Sequence, residues 1–336
     1  MKPSEILTQL SAKLTLENYA LDTVKSYVGA CRSFLSYITA NPELKKQENA
    51  RRIEAYLTHR VVDDDISPST QNVEFNALIY LHRYIFKVDV QGINSMRARP
   101  RNRIPPILTK GQVRTLLNNL PSGYNLIAHI LYGTGLRIND CLRLRLKDVD
   151  LHNKKLIIHQ SKGDKERIVP IPESLFDDIQ ARLRESEKLW QVDHAQKIGV
   201  YTPRALESKY KTIHLSKEWY WLFPNPSLSK DPRSQRIQRH HVYDFSVQKA
   251  FLATRLACDL PIYTTPHSLR HAFCTHLTED MLIKGFPREM IEVKLIEYVG
   301  HSSKETLKWY IHLAAPKDQI ITLPIDSLYS GRTQPT

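Results

Sequence analysis

Six residues of the right types for phosphoryl transfer are spread over more than half of the chain: Arg137, Lys162, His267, Arg270, His301 and Tyr310. They stand in the short contexts GTGLRIND, SKGDKERIVPI, HSLRH and VGHSSKETLKWYIH. A tyrosine can attack phosphorus and hold it covalently. Arginines can bind the non-bridging oxygens, and a lysine and histidines can move protons. Acting together, such groups would break and remake a phosphodiester through a phosphotyrosine. No single residue carries this reading; their order and contexts do.

Each piece has a plainer alternative. Gly133 and Gly135 permit a tight turn that presents Arg137 from a helix end, where a guanidinium can grip phosphate with two donors. Asp140 can orient that arginine, but a surface Arg137–Asp140 pair with no further role fits this box equally well. Lys162, beside Gly163 in a hairpin turn, can protonate a leaving oxygen, although most lysines at such tips are merely solvated. His267, Arg270 and His271 are spaced to share one helical face, and a helix N-terminus adds free N–H groups for an anion. Three cationic groups on one face favour an anion site over a structural role, with His271 also suited to packing or a supporting hydrogen bond. A turn at Gly300 followed by a short helix can bring His301 and Tyr310 to one phosphate. A lone helical tyrosine is ordinarily amphipathic core, and only the upstream boxes raise Tyr310 above that.

These residues need elements to hold them. In 17–38, Leu21, Val24, Tyr27, Val28, Cys31, Phe34, Leu35 and Ile38 recur at helical spacing and make one apolar face. SPSTQN offers a cap at Ser67 and a first-turn proline at Pro68, followed by the stripe Val73, Ala77, Leu81, Tyr84 and Ile85. With helices at 4–14 and 50–60, residues 1–92 read as a small helical domain. A basic linker follows at 93–107, where Arg97, Arg99, Arg101 and Arg103 alternate with prolines that stiffen the segment. Such arginines suit DNA phosphates or simple solvation. The second domain, 108–336, opens on the capping-box pair Thr109 and Gln112. KKLIIHQ and KERIVPI flank a turn and predict a β-hairpin. Helices are expected at 173–190, 240–256, 267–282 and 288–299. The polar and aromatic stretch 191–239 is too long for an ordinary loop and points to a functional insertion. The fold class is therefore mainly α with a small β-sheet (α+β), in two domains.

Composition narrows the partner. Over 336 residues, 48 Lys+Arg against 35 Asp+Glu leave a net charge of +13. That surplus favours a polyanion, nucleic acid before an anionic membrane. No apolar run reaches the ~20 residues of a membrane span, and the first residues lack a signal-peptide core. The cysteines Cys31, Cys141, Cys258 and Cys274 are widely separated. They suit a reducing cytoplasm and buried packing better than a zinc site or a disulfide framework.

The boxes, in this order, resemble the tyrosine recombinase (phage-integrase) family. The resemblance covers nearly the whole chain. It implies a C-shaped clamp of a helical core-binding domain and a catalytic domain. Arg137, Lys162, His267, Arg270 and His301 match the activating residues and Tyr310 the nucleophile, with Asp140 and His271 in support. The implied reaction is site-specific strand exchange through a 3′-phosphotyrosyl link, with no cofactor and no metal. The implied partners are DNA and further copies of the chain, in a tetramer that exchanges C-terminal arms (313–330), in the cytoplasm of a bacterium and on its nucleoid. No membrane partner is implied.

Within the family, YTPRALESKYKT, WYWLFPNPSLSKDPRSQRIQRHH, RIPPILTKGQV and LPIDSL resemble integron integrases. That likeness implies gene-cassette integration and excision on a folded single-stranded site. Trp219, Trp221, Pro232, Arg239, His240 and His241 are then candidates for base and backbone recognition by the insertion. Core packing of the two tryptophans stands as an equal alternative. A Xer-like or phage-type recombinase on duplex sites, and a DNA-binding protein that no longer cuts, are the competing readings. The chain also departs from the family pattern. Asp140 stands where Glu is more usual, and the interval from His267 to His301 is longer. Thr306-Leu307 replaces the common pair of threonines, and Trp309 directly precedes the tyrosine.

Overall fold

In the computed structural model, residues 2–90, 106–159, 166–231 and 234–300 are described. The chain divides into two compact units, Met1–Arg103 and Ile104–Thr336.

The first unit is built from four helices, α1 (Pro3–Leu16), α2 (Leu21–Ala40), α3 (Asn49–Val62) and α4 (Pro68–Tyr80), the last running into a π-helical turn at Leu81–Phe86. Ser67 caps α4 by accepting from the Thr70 N–H, and Pro68 takes the first-turn position where no donor is lost. The apolar stripe of α2 is buried through Val24, Cys31 and Phe34 against Ile6, Leu10, Leu14, Ile53 and Leu57. On α4 the buried face differs from the expected stripe. Phe75, Ala77, Leu78 and Leu81 are inside, while Val73 and Tyr84 are exposed. Glu74 also turns inward, where its carboxylate accepts the Arg60 fork at 2.8 Å.

The second unit starts with α5 (Lys110–Asn119), whose Thr109–Gln112 capping box is formed in both directions. It continues through α6 (Ser122–Thr134), a short α7 (Ile138–Leu142), and an antiparallel sheet of β1 (Val149–Asp150), β2 (Lys155–His159) and β3 (Glu166–Pro170). β2 and β3 pair from Lys155↔Pro170 to His159↔Glu166, the hairpin expected from KKLIIHQ and KERIVPI flanking a turn. Next come α8 (Phe176–Ala195), β4 (Gly199–Val200), α9 (Arg204–Lys209), β5 (Pro224–Lys230), β6 (Ile237–His241), α10 (Asp244–Ala257), α11 (Pro266–Ile283) and α12 (Arg288–Val299). α11 opens on another reciprocal capping box, Thr265 with Ser268, and on Pro266. The long interval after His267 is taken up by the end of α11, a left-handed turn at Gly285 and the start of α12.

Two expectations need correction. The segment 191–239 is not an irregular loop: it carries the end of α8, α9 and a second sheet in the order β4-β6-β5. A helix does not begin at 240 either, because 237–241 pair with β5 and α10 starts at Asp244. The cause lies outside the local sequence. Leu146 donates to the Tyr220 carbonyl and Leu222 to that of Leu144, both at 2.9 Å, which stitches the inserted sheet to the chain just before β1. Once Tyr220, Trp221, Leu222 and Phe223 are buried there, the strands that follow are drawn into extended pairing.

Candidate active site

The first box is built around Gly135. It closes α6 in the left-handed region, φ 65°, where only a residue without a Cβ is comfortable. A Cβ at this position would collide with the ring of Phe273 on α11. The turn leaves Arg137 as the residue that caps α7, in extended conformation, with its side chain 43% exposed. Its nearest carboxylate, Asp140 Oδ2, lies 3.8 Å away, beyond hydrogen-bonding distance. The same oxygen accepts from Arg167 Nη2 at 2.9 Å, so Asp140 belongs more to Arg167 than to Arg137.

Arg270 behaves differently from Arg137. It is 1% exposed and its fork donates to two backbone carbonyls, Gly135 at 2.6 Å and Val299 at 2.9 Å. One guanidinium thus ties the turn before Arg137 to the end of α12, directly before Gly300 and His301. The expected row of three cationic groups on a common outer face is not what forms. His267 is exposed, His271 is half-buried and Arg270 is turned inward. The two imidazole rings meet edge to face at 4.5 Å. Desolvation lowers the basicity of both, and the charge of Arg270 lowers it further. Arg137 adds to this at His267, and His271 is brought down to about 4. Both rings are held neutral near neutral pH, which removes the repulsion that three cations would have caused.

The hairpin that flanks Lys162 in sequence is fastened where β2 reaches the turn. Asp148 is buried and accepts from the Arg145 N–H, from Lys147 and from His159 Nε2. His159 Nδ1 meets Glu166 at 2.8 Å across the pair nearest the turn. Lys162 itself, together with His301, Tyr310, the linker arginines Arg97, Arg99, Arg101 and Arg103, Pro232 and the arm 313–330, lies outside the described residues.

In the insertion, the candidates separate into core and surface. Trp221 is 3% exposed, donates its indole N–H to the Arg239 carbonyl and lies 3.7 Å beneath the Arg145 guanidinium. It is a core residue, closed to a base. Arg239 is likewise committed: it meets both Asp193 oxygens, at 2.8 and 2.7 Å, and the carbonyls of Asn225 and Pro226. His241 is buried. Trp219 is half-buried beside Arg145 and Lys147. His240 stacks on Tyr243 at 5.2 Å and 16°, and Tyr243 is exposed, as is Phe245 at the start of α10. The sequence reading missed Tyr243 and Phe245, and it missed Arg145 and Arg167. Arg167 had a legible signal. It shares strand parity with the buried Val169, which aims a charged side chain inward.

Matching the chain against known families places residues 106–317 on the phage integrase family and residues 6–92 on the N-terminal SAM-like domain of phage integrases. The chain belongs to the phage integrase family. As a tyrosine recombinase it is an enzyme that breaks and rejoins DNA. An integrase/recombinase of Escherichia coli is 31% identical over 332 residues, spanning 98% of this chain and 95% of that protein. Tyrosine recombinase XerA of Thermococcus kodakarensis is 25% identical over 316 residues, spanning 92% and 91%. The crystal structure of XerH bound to its difH substrate before cleavage shares the recombinase fold. It has a TM-score of 0.60 at 19% identity over 92% of this chain and 82% of that one.

Proposed function

We propose that this recombinase is of the integron type and moves gene cassettes by strand exchange at a folded single-stranded site, in the bacterial cytoplasm on nucleoid DNA. In the cleavage step the Tyr310 oxygen attacks the scissile phosphorus, and its proton passes to the site's histidines. The bond to the 5′-oxygen breaks, and Lys162 protonates the departing oxygen. Arg137 and Arg270 balance the charge on the non-bridging oxygens, with His267 and His301 as hydrogen-bond and proton partners. The 5′-hydroxyl of a partner strand then reverses the step, so the ester energy is conserved and no nucleotide is consumed.

The observation that carries the catalytic assignment is the complete set of six residues in family order. Its described members are gathered around the Gly135 turn that Arg270 braces. All six are present, which favours a cutting enzyme over a DNA-binding protein that has lost activity. A nicked recombination-site substrate tests it directly: wild type traps a covalent protein–DNA adduct and Tyr310→Phe traps none. Equal adduct from both would sink Tyr310 as the nucleophile.

Support for a folded site comes from the insertion and from the exposed Tyr243, stacked on half-buried His240 next to exposed Phe245. Aromatic faces of this kind contribute about 1–3 kcal/mol per stacked base. Tyr243→Ala with Phe245→Ala should weaken binding to a folded bottom strand at least ten-fold and leave duplex binding nearly unchanged. Equal loss on both substrates favours the Xer-like reading. Assembly as a tetramer that exchanges segment 313–330 belongs to the same proposal, and sedimentation of the DNA complex would measure it.

A further inference from the structure

Arg167 is the least expected charge in the catalytic unit. It sits on β3, against which α12 packs, and its side chain is only 8% exposed. Its Nη2 donates to Asp140 Oδ2 at 2.9 Å, while Nε and Nη1 are buried without an acceptor among the described residues. A buried guanidinium with two unused donors is costly. A residue placed at that cost next to the first-box arginine invites a functional account.

Asp140 supplies it. Asp140 is three residues from Arg137 on the same short helix, and its Oδ2 is 3.8 Å from Arg137 Nη1. Without a competing cation, a movement of about 1 Å would bring that carboxylate into a charge-assisted hydrogen bond with Arg137. Such a pair would spend the charge that a phosphate needs. Arg167 competes from the buried side, where screening is weaker and the attraction larger. We propose that Arg167 is a positioning residue that captures Asp140 and so keeps the Arg137 guanidinium available for the scissile phosphate. This rests on Arg137 being a phosphate ligand, the reading given above.

Single-turnover adduct formation on two nicked substrates tests it. One carries the natural scissile phosphate. The other carries a methylphosphonate there, in which a methyl group replaces a charged oxygen and little anionic charge is left to balance. Arg167→Met should slow cleavage of the phosphate about ten-fold or more, the equivalent of about 1.4 kcal/mol of barrier. On the methylphosphonate its deficit relative to wild type should shrink towards none. Arg167→Lys, which keeps a charge beside Asp140, should retain most of the wild-type rate and guards against a fold too weak to assay. Arg167→Met cleaving the phosphate at the wild-type rate overturns the proposal. So does an equal deficit on both substrates, which marks a merely deformed site. Arg137→Ala is the separate control. If it cleaves the phosphate normally, the assignment of Arg137 itself fails. If it is slow while Arg167→Met is not, only the positioning role fails.

Discussion

At the scale of single residues, the candidate site depends on small choices with local causes. Gly135→Ala forces a Cβ into the ring of Phe273 at a positive φ. It should cost about 1–3 kcal/mol from backbone strain and overpacking together, seen as a lower denaturant midpoint. The buried Arg270 holds two carbonyls. Arg270→Ala should destabilise by about 1–3 kcal/mol for each orphaned acceptor, before any loss of catalysis is counted. The histidines set a pH dependence. His271 and His241 are brought down to about 4, in each case chiefly by burial. An unfolded histidine titrates near 6.5. Between those values the unfolded chain binds protons that the native state refuses, so stability falls as pH drops from about 6.5 towards 4. Denaturant midpoints measured across that range should show the slope, and His271→Asn should reduce it.

Among elements, the inserted sheet is the one whose stability is most exposed to a single change. Asp193 at the end of α8 and Arg239 on β6 form a buried pair, with the Tyr220 hydroxyl donating to the same carboxylate. Arg239→Met leaves Asp193 buried without its counter-charge, a loss of about 3–5 kcal/mol. Adding Asp193→Leu to it should recover much of that loss, and chemical denaturation of the two variants measures the difference. Elements with local signals were legible in the sequence: α4 and α5 announce themselves by Ser67 and Thr109, and the β2–β3 hairpin by two strand-like segments on either side of a turn. The inserted sheet was not. Its strands are short, and β5 carries two prolines; residues 220–222, directly before β5, are held by pairing with 144–146 and by burial of Trp221, neither visible in a local window.

At the scale of the whole molecule, the excess of 48 basic over 35 acidic residues suits a backbone-gripping enzyme. Binding to its DNA should fall steeply with salt as phosphate contacts release counterions, and a flat response in a titration across salt concentrations would contradict phosphate-dominated binding. The chemistry, the helical composition, the capped helix starts and the class of enzyme were all determined by the sequence itself, because residue type and short spacing are enough to state them. Tertiary structure alone decided which arginine faces out and which is braced inside, and that Trp221 and Arg239 are core. It also decided that Asp140 answers to Arg167. The reason is physical. The fate of a charged or aromatic side chain is set by the partner that desolvates it, and here those partners come from elements far apart in the chain: Gly135 with Arg270, Asp140 with Arg167, Asp193 with Arg239.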